Sequence, residues 1–397
     1  MAFHQNIDRR SFLDANGAPL YRRANNAPNL FSDTNSCINY SPYSWYNFNQ
    51  VTSATITNDP SIVMNFGVRY LVSNVIGLEG SFDAELDNPW DIAVIDDIIW
   101  VSSFNTGYLL GYDMLGTPLF IANIFGSDEN IFRPTGICYN QSSTDFVIRR
   151  SDIIEASVIL IATFDGTING YNPIVNVSDT ILLLDRSDDN CVYTGLHAMS
   201  LIDRNNNRQS LLFVADFFNR KIDVFDGNLE ILDGFFFIDE NSNDPIPRTY
   251  APYNIVAIED YLYVSYAESN PSAPEHVIGG PNSGYISRYN FNGEFVDRFY
   301  SRGVLNAPYD MCLVPSSYGY PSGSIMVSNY GDGSIAILDH DGNYVGSISG
   351  PDQNTMNFGG IRGITVNPNH QKSLYYVSST NYSSDSFVGS IFHKLLR

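Results

Sequence analysis

Lysine is the residue that this sequence most clearly lacks. Only Lys221, Lys372 and Lys394 occur in 397 residues, and 21 basic residues stand against 43 acidic ones, giving a formal net charge of −22. The arginines are scattered along the chain. Because the phosphates of nucleic acid would be repelled by such a surface, we expect no nucleic-acid partner.

Long apolar runs are also missing. No stretch of about 18 apolar residues occurs, so we expect no membrane span. Arg9-Arg10-Ser11-Phe12-Leu13 is similar to a twin-arginine export motif, but the residues that follow it are polar where an export signal is apolar. We therefore expect no classical signal peptide. The compartment stays undetermined, with an extracellular or virus-particle location favoured.

Cysteine and histidine are few and dispersed. The four cysteines, Cys37, Cys138, Cys191 and Cys312, show no C-x-x-C spacing, so neither a disulfide framework nor a zinc site is expected. No phosphate-binding loop, nucleophile elbow, zinc-protease motif or dinucleotide fingerprint occurs. His197 alone among the histidines is expected near a functional position, and a structural role is favoured for it. These absences favour a protein that is not an enzyme.

What the sequence does contain is a repeated unit of short apolar strands bounded by Pro, Gly, Asp and Asn. The first copy begins at Asn88-Pro89-Trp90-Asp91 and runs through three strands to Asp113. Six copies follow one another, and their anchor positions lie 45 to 59 residues apart. The anchors are Asp91, Gly136, Gly195, Asn254, Asp310 and Gly363. A period of this size with about four strands per unit is typical of propeller blades.

The sixth copy reaches only three strands before the chain ends at Arg397. An unpaired strand edge there would favour aggregation, so a strand from elsewhere must cover it. Gly67–Ser73 has strand composition and precedes the first copy. The sequence therefore predicts an all-β, six-bladed β-propeller over residues 61–397, closed by an N-terminal strand that completes the last blade. In the third copy, Asp226-Gly227-Asn228 predicts a turn before a fourth strand at residues 229–232.

Residues 1–60 do not fit the repeat and are predicted to form an irregular N-terminal arm. The arm carries arginines at positions 9, 10, 22 and 23 and an aromatic cluster at residues 40–46. Insertions at Gln141–Ser157 and Glu268–Ser283 are predicted to project as loops from one rim of the ring. The arm and these loops are the expected contact regions for a protein partner or for self-assembly. Packing of the arm on its own propeller is the simpler alternative.

The anchors define the candidate site. The first strand of each propeller blade lines the central channel, so residues that open these strands form a ring at one mouth. Asp91, Asn254 and Asp310 in that ring could bind a divalent cation, with Ca²⁺ as the candidate, through oxygen ligands. No other cofactor is expected. The alternative is that these side chains cap turns by accepting hydrogen bonds from nearby backbone N–H groups.

Several motifs resemble those of a known group of propellers. They are Asn88-Pro89-Trp90, Pro134-Thr135-Gly136-Ile137, Tyr250-Ala251-Pro252-Tyr253-Asn254 and Asn329-Tyr330-Gly331-Asp332-Gly333. Together they resemble a family of uncharacterised, mostly bacterial six-bladed propellers, distantly similar to NHL and gluconolactonase-like propellers. The likeness covers roughly residues 68–393. It implies the fold and no activity, although lactone-hydrolysing propellers hold a metal with a similar ring of residues.

These observations favour a non-enzymatic β-propeller that acts as a binding or structural module. Abundant Asn, Ile, Tyr and Phe together with scarce lysine suggest a large DNA virus or a protist as the source, and hence a component of a surface or virus-particle assembly. The alternative is a metal-dependent hydrolase of the lactonase type with its cation at the channel mouth. A third hypothesis is a carbohydrate-binding propeller that uses exposed tyrosines.

Overall fold

The computed structural model describes residues 66–125, 132–202, 208–350, 352–369, 372–380 and 385–393. The predicted arm at residues 1–60 and Cys37 lie outside these ranges. Within them, regular structure is almost entirely β-strand, with single 3₁₀ turns at Ser187–Asp189 and Ser316–Tyr318. No helix in the described part of the chain is long and apolar enough to cross a membrane.

The strands form six consecutive blades, in which neighbouring strands are antiparallel except for the first two of the described chain. The chain begins with β1 (Phe66–Ser73) and β2 (Ser81–Phe82), which belong to the last blade. Blade 1 contains β3 (Pro89–Ile95), β4 (Ile98–Ser103), β5 (Tyr108–Asp113) and β6 (Pro118–Asn123). Blade 2 contains β7 (Pro134–Tyr139), β10 (Ile159–Thr163), β11 (Thr167–Tyr171) and β12 (Ile181–Asp185), with the separate hairpin β8 (Val147–Arg150) and β9 (Ile153–Ala156) inserted after β7. Blade 3 contains β13 (Tyr193–Ile202), β14 (Arg208–Asp216) and β15 (Lys221–Asp226).

The second half of the ring repeats this arrangement. Blade 4 contains β16 (Tyr250–Ile258), β17 (Tyr261–Asn270), β19 (Tyr285–Tyr289) and β20 (Phe295–Ser301), with β18 (Ala273–Ile278) paired to the far end of β17. Blade 5 contains β21 (Pro308–Leu313), β22 (Ile325–Asn329), β23 (Ile335–Leu338) and β24 (Tyr344–Ser347). Blade 6 contains β25 (Ile364–Val366), β26 (Ser373–Ser379) and β27 (Ser386–His393), followed in space by β1 and β2. The predicted six-bladed propeller is confirmed.

Strand β1 closes the ring. It pairs antiparallel with β27 from Phe66 opposite His393 to Ser73 opposite Phe387, with one irregularity between Tyr70 and Val72. This is the predicted fourth strand of the last blade. Six apolar clusters of described residues lie between neighbouring blades, and Leu71 and Val72 belong to the one between blades 6 and 1. The first described strand therefore contributes to the core as well as to the hydrogen-bonded ladder.

Blade 3 differs from the prediction because its fourth strand is reduced to one bridge, between Phe225 and Ile231. Leu229 has a positive φ of 63°, and Gly234 turns the chain again with a φ of 101°. The two turns confine this stretch to residues 230–233, of which only Ile231 forms a bridge. After them, Phe235 and Phe237 pack against Phe213, while the side chains between and after them point to solvent.

The two insertions leave from opposite faces, so the prediction of a single rim is wrong. The blade 2 insertion follows the innermost strand β7, which runs away from the mouth where the anchors lie. The blade 4 insertion follows β17, which runs antiparallel to its innermost strand and so returns to that mouth. Strand direction alternates within a blade. The blade 2 insertion follows the first strand of its blade and the blade 4 insertion follows the second, so the two leave from opposite faces.

We expect ring closure by β1 to be essential for folding. Deleting residues 1–73 removes Phe66, Leu71 and Val72 from the core, each worth about 1.5–3 kcal/mol of burial, and exposes the edge of β27. The truncated chain should aggregate on size-exclusion chromatography and show no cooperative thermal transition. Deleting residues 1–60 keeps β1 and is the matched control. A folded, monomeric chain lacking residues 1–73 would contradict the assigned closure.

Candidate functional site

The innermost strands are joined by buried hydroxyl groups. Five serine or threonine side chains each donate a hydrogen bond to a backbone carbonyl of the following blade, at distances of 2.5–2.8 Å. Four of the acceptors lie on its innermost strand, and Arg362 lies two residues before that strand. The donor and acceptor pairs are Ser102 to Thr135, Thr135 to Tyr193, Thr194 to Tyr253, Ser265 to Tyr309, and Ser328 to Arg362. Between the last blade and the first, the N–H of Gly363 donates to the carbonyl of Trp90 at 3.1 Å. Together these hydrogen bonds form a closed ring around the channel, and this ring holds the anchor residues in place.

Asp91 and Asp310 occupy equivalent places and make equivalent contacts. Oδ2 of Asp91 accepts the N–H of Ile137 on the next blade at 2.9 Å, and Oδ2 of Asp310 accepts the N–H of Ile364 on its next blade at 2.9 Å. In each residue, Oδ1 accepts the N–H of the following residue. Both side chains are buried. They cap backbone N–H groups, and two of these groups belong to a neighbouring blade.

Asn254 completes the predicted set. Its Oδ1 accepts the N–H of Ile255 at 2.8 Å, and its Nδ2 donates to Oδ1 of Asp310 at 3.1 Å. The two glycine anchors beside these side chains leave room for them. A Cβ on Gly195 would collide with Oδ1 of Asn254, and a Cβ on Gly363 would lie 2.5 Å from Oδ1 of Asp91. The structure brings all three predicted residues to one level of the channel.

A cavity of about 70 Å³ lies in the channel beside them. Asp91, Asn254 and Asp310 form its polar end, and it is otherwise lined mainly by apolar side chains, with His197 on one side. Burial lowers the pKa of His197 to about 4, so the imidazole is neutral at physiological pH. This agrees with the structural role predicted for the histidine.

Burial also governs the two carboxyl groups. It raises the pKa of Asp310 to about 7, against hydrogen bonds from Ile364 and Met311 that lower it. The pKa of Asp91 is raised well above its ordinary value, first by burial and then by the negative charge of Asp310. Two buried carboxyl groups this close are poorly accommodated as a pair of anions. A proton or a cation between them would relieve the repulsion.

An aromatic plug, which the sequence did not predict, closes the mouth above this level. It consists of Trp90, Tyr253 and Tyr309, the residues immediately before the three polar anchors. Trp90 of blade 1 lies 6.2 Å from Tyr253 of blade 4, on the opposite side of the ring. Nε1 of Trp90 and the hydroxyl of Tyr309 both donate to the carbonyl of Thr194, at 3.1 and 2.9 Å. The Pro-Trp and Pro-Tyr pairs before the anchors are the sequence signal.

The blade 4 insertion lies over the plug. Val277 on β18 packs against the aromatic cluster that contains the plug, and the ring of His276 stacks on Phe164 at 5.4 Å. Phe164 belongs to blade 2, so the hairpin of β17 and β18 crosses the mouth. The small polar cavity is therefore separated from solvent on this face by two layers.

A second cluster of ligand-type side chains lies in blade 3. Cys191, Asp216 and Asp223 are buried with their ligand atoms within 4.8 Å of one another. Nζ of Lys221 lies 2.7 Å from Asp223 and 4.0 Å from Asp216. The ammonium group of Lys221 offsets the negative charge of Asp216 and Asp223. We therefore assign the cluster a structural role. Cys138, Cys191 and Cys312 are free and buried, which for Cys138 and Cys312 fits the role of small apolar side chains.

The fold and the plugged channel define a six-bladed β-propeller with a small, buried polar site on its axis. In sequence, the chain is 36% identical over 332 residues to the uncharacterised protein L690 of Acanthamoeba polyphaga mimivirus, covering 83% of this chain and 86% of that one. It is 35% identical to the uncharacterised protein R648 of the same virus, covering 83% and 80%. The chain belongs to this family of uncharacterised mimivirus proteins.

The family membership corrects the expectation of mostly bacterial relatives. The motifs behind that expectation follow from blade geometry, which unrelated propellers share.

No protein-family model matches the chain. Among solved structures, a protein of unknown function from Bacteroides thetaiotaomicron has a TM-score of 0.51 at 12% identity, covering 84% of this chain and 77% of that one. Virginiamycin B lyase from Staphylococcus aureus has a TM-score of 0.47 at 10% identity, covering 84% and 100%. Such likeness shows the fold alone.

The raised carboxyl pKa values predict an unusual pH dependence of stability. Between the ordinary aspartate pKa near 4 in the unfolded chain and about 7 for folded Asp310, the folded state binds the additional proton. Stability from this group is therefore greatest at low pH and falls as pH rises to about 7. Asp310→Asn should remove a decline on the order of 2–4 kcal/mol in urea unfolding between pH 5 and 8.

The control for this experiment is Asp341→Asn, which changes a carboxylate that is 67% exposed. It should keep the pH slope of the unaltered protein. Comparing slopes between variants cancels the contributions of titrating groups other than Asp91, whose pKa the charge of Asp310 raises. An identical slope in Asp310→Asn and Asp341→Asn would contradict the assignment of the proton to Asp310.

Proposed function

We propose that this protein is a non-enzymatic binding module that takes part in building a virus particle or a surface assembly. Its relatives are proteins of a mimivirus, and a viral source is among those suggested by composition. The main support comes from the outer surface of blade 3. There an extended segment presents apolar side chains to solvent beside an incomplete sheet edge.

The exposed side chains of this segment are Ile231, Phe236 and Ile238, which are 47%, 67% and 62% exposed. Phe235 and Phe237 alternate with them and point inward, as in a strand. Large apolar side chains concentrated on one exposed segment are typical of a surface that binds another protein. Blade 3 has three regular strands where the neighbouring blades have four or more, so a further strand or loop can add there.

The occupant that we propose is the N-terminal arm of a second copy. Residues 1–65 contain four arginines and four aspartates, so the whole net charge of −22 resides on the remainder of the chain. The blade 3 segment carries exposed Asp233 and Glu240 beside its apolar side chains. An arm with both arginines and an aromatic cluster is complementary to such a surface. Sixty-five residues can span up to about 200 Å when extended, enough to reach another propeller.

The assembly hypothesis predicts that Phe236→Ser with Ile238→Ser weakens self-association. Both side chains are solvent-exposed, so the double variant should keep the melting temperature of the unaltered protein. Light scattering after size-exclusion chromatography should show a mass above one chain for the full-length protein and a monomer for the variant. Deletion of residues 1–60 should give the same monomer. Ile76→Ser, which alters an 84% exposed apolar side chain elsewhere, is the matched control. A full-length protein that stays monomeric at high concentration would contradict self-assembly through the arm.

The second candidate, a metal-dependent hydrolase of the lactonase type, is favoured by the channel geometry. Each carboxylate oxygen has two lone pairs, and both oxygens of Asp91 and Oδ2 of Asp310 accept one described hydrogen bond each. Oδ1 of Asn254 likewise keeps a lone pair. These oxygens could hold Ca²⁺ with water completing its coordination. The cavity of about 70 Å³ has room for an ion and about one or two waters.

Elemental analysis of the purified protein tests this candidate. The metal hypothesis predicts one divalent ion per chain, retained on desalting and lost on chelation. Asp91→Asn should reduce the metal content at least about tenfold, since it removes one ligand charge at the site. Asp83→Asn changes another buried carboxyl group, which hydrogen-bonds Tyr112, and should leave the content unchanged. Protein that stays metal-free after incubation with Ca²⁺ would leave only the capping role for these residues.

A further inference from the structure

Arg362 carries a buried positive charge at the channel mouth. Its side chain lies between two aromatic rings, with the guanidinium carbon 4.2 Å from the centre of Trp90 and 4.3 Å from that of Tyr330. The residue is only 5% exposed. No ion pair among the described residues includes it. A buried cation without a counter-charge is costly, and two cation–π contacts offset only part of that cost.

Two hydrogen-bond donors at this place are unused. Nη1 of Arg362 donates to Oδ1 of Asn88 at 3.0 Å, but Nε has no partner among the described residues. The hydroxyl of Tyr253 lies beside Arg362 and can accept from it, but its own O–H donates to no described residue. Burial raises the pKa of Tyr253 and outweighs the opposing effect of Arg362, so this hydroxyl keeps its proton. A buried donor left unpaired destabilises the folded protein, and more so when it is charged.

The chemistry of this place selects the charge and the size of a ligand. A guanidinium and a phenol offer only N–H and O–H donors to a negatively charged acceptor. Because Trp90 and Tyr330 cover both faces of the guanidinium, a ligand must approach in its plane, along the Nε edge. Arg362 and Tyr253 are 5% and 1% exposed, so only a small ligand can lie beside them.

We propose that Arg362 and Tyr253 bind a small monovalent anion, a halide or a carboxylate, at the mouth of the channel. The anion supplies the missing counter-charge to Arg362 and accepts from Nε and from the tyrosine hydroxyl. It thereby connects blade 6, which carries Arg362, with blade 4, which carries Tyr253. The site includes Tyr253 of the plug and uses none of the residues that line the acidic cavity.

Thermal unfolding of the full chain in different salts tests the site. Sodium chloride, bromide and formate are compared with sodium sulfate at equal ionic strength. At 100 mM, an anion with a millimolar Kd should raise the melting temperature by at least about 3 °C relative to sulfate. Tyr253→Phe removes one donor and keeps the ring, so it should lose at least half of that difference. Arg133→Gln alters an exposed arginine of the same face that is already paired with Asp165, and should keep it.

Crystals grown in sodium bromide provide the second readout. An anomalous peak within hydrogen-bonding distance of Nε of Arg362, together with a reduced salt effect in Tyr253→Phe, supports the proposal. A response to chloride and bromide alone assigns a halide site, and a response to formate alone assigns a carboxylate site. Equal salt effects in Tyr253→Phe and in the unaltered protein, with no bromide at Arg362, would overturn the proposal.

Discussion

The fold depends on how the innermost strands satisfy their backbone polar groups. Each of these strands has a neighbouring strand on one side only, and its other edge faces the channel axis. Buried N–H and C=O groups there need partners, because the channel offers little water. Ser102, Thr135 and their counterparts supply donors to the carbonyls, and Asp91 and Asp310 supply acceptors to the N–H groups of Ile137 and Ile364. Blade contacts along the axis are therefore polar, and those between sheet faces are apolar.

This arrangement gives the acidic anchors two competing roles. As acceptors for backbone N–H groups, Asp91 and Asp310 join neighbouring blades. As buried carboxyl groups, they disfavour their own ionised forms, which raises both pKa values, and the charge of Asp310 raises the pKa of Asp91 further. A metal site and a purely structural pair of carboxyl groups would use the same oxygen atoms. The geometry is compatible with both, and the metal content of the purified protein distinguishes them.

Much of the architecture could be predicted from sequence because it is encoded locally. The turn residues and strand lengths of each repeat define the blades, and the missing last strand pointed to Gly67–Ser73. The anchors Asp91, Asn254 and Asp310 were located because blade period alone fixes which residues open the innermost strands. Their contacts with the N–H of the following residue agree with the capping alternative. Their contacts with other blades could not be predicted, since those partners lie 46 to 56 positions away in sequence.

Other features escaped prediction for physical reasons of the same kind. The plug depends on how Trp90 and Tyr309 reach across the ring to one carbonyl of Thr194, which no local pattern encodes. The shortened fourth strand of blade 3 depends on Leu229 adopting a left-handed conformation that leucine usually avoids. The opposite faces of the two insertions, in contrast, could have been predicted. They follow from strand direction, and strand direction follows from the number of strands that precede each insertion in its repeat.

Closure of the ring by β1 and β27 also has a consequence for synthesis of the protein. The two partners lie at opposite ends of the described chain, so this pairing forms only after translation has reached residues 386–393. Until then, β1 of the nascent chain has no strand to pair with, and the apolar faces between blades are not yet fully buried. Contacts of such large sequence separation form slowly, and the waiting edges are prone to wrong pairing. The completion of β27 therefore determines when the apolar faces of the blades become buried in a closed ring.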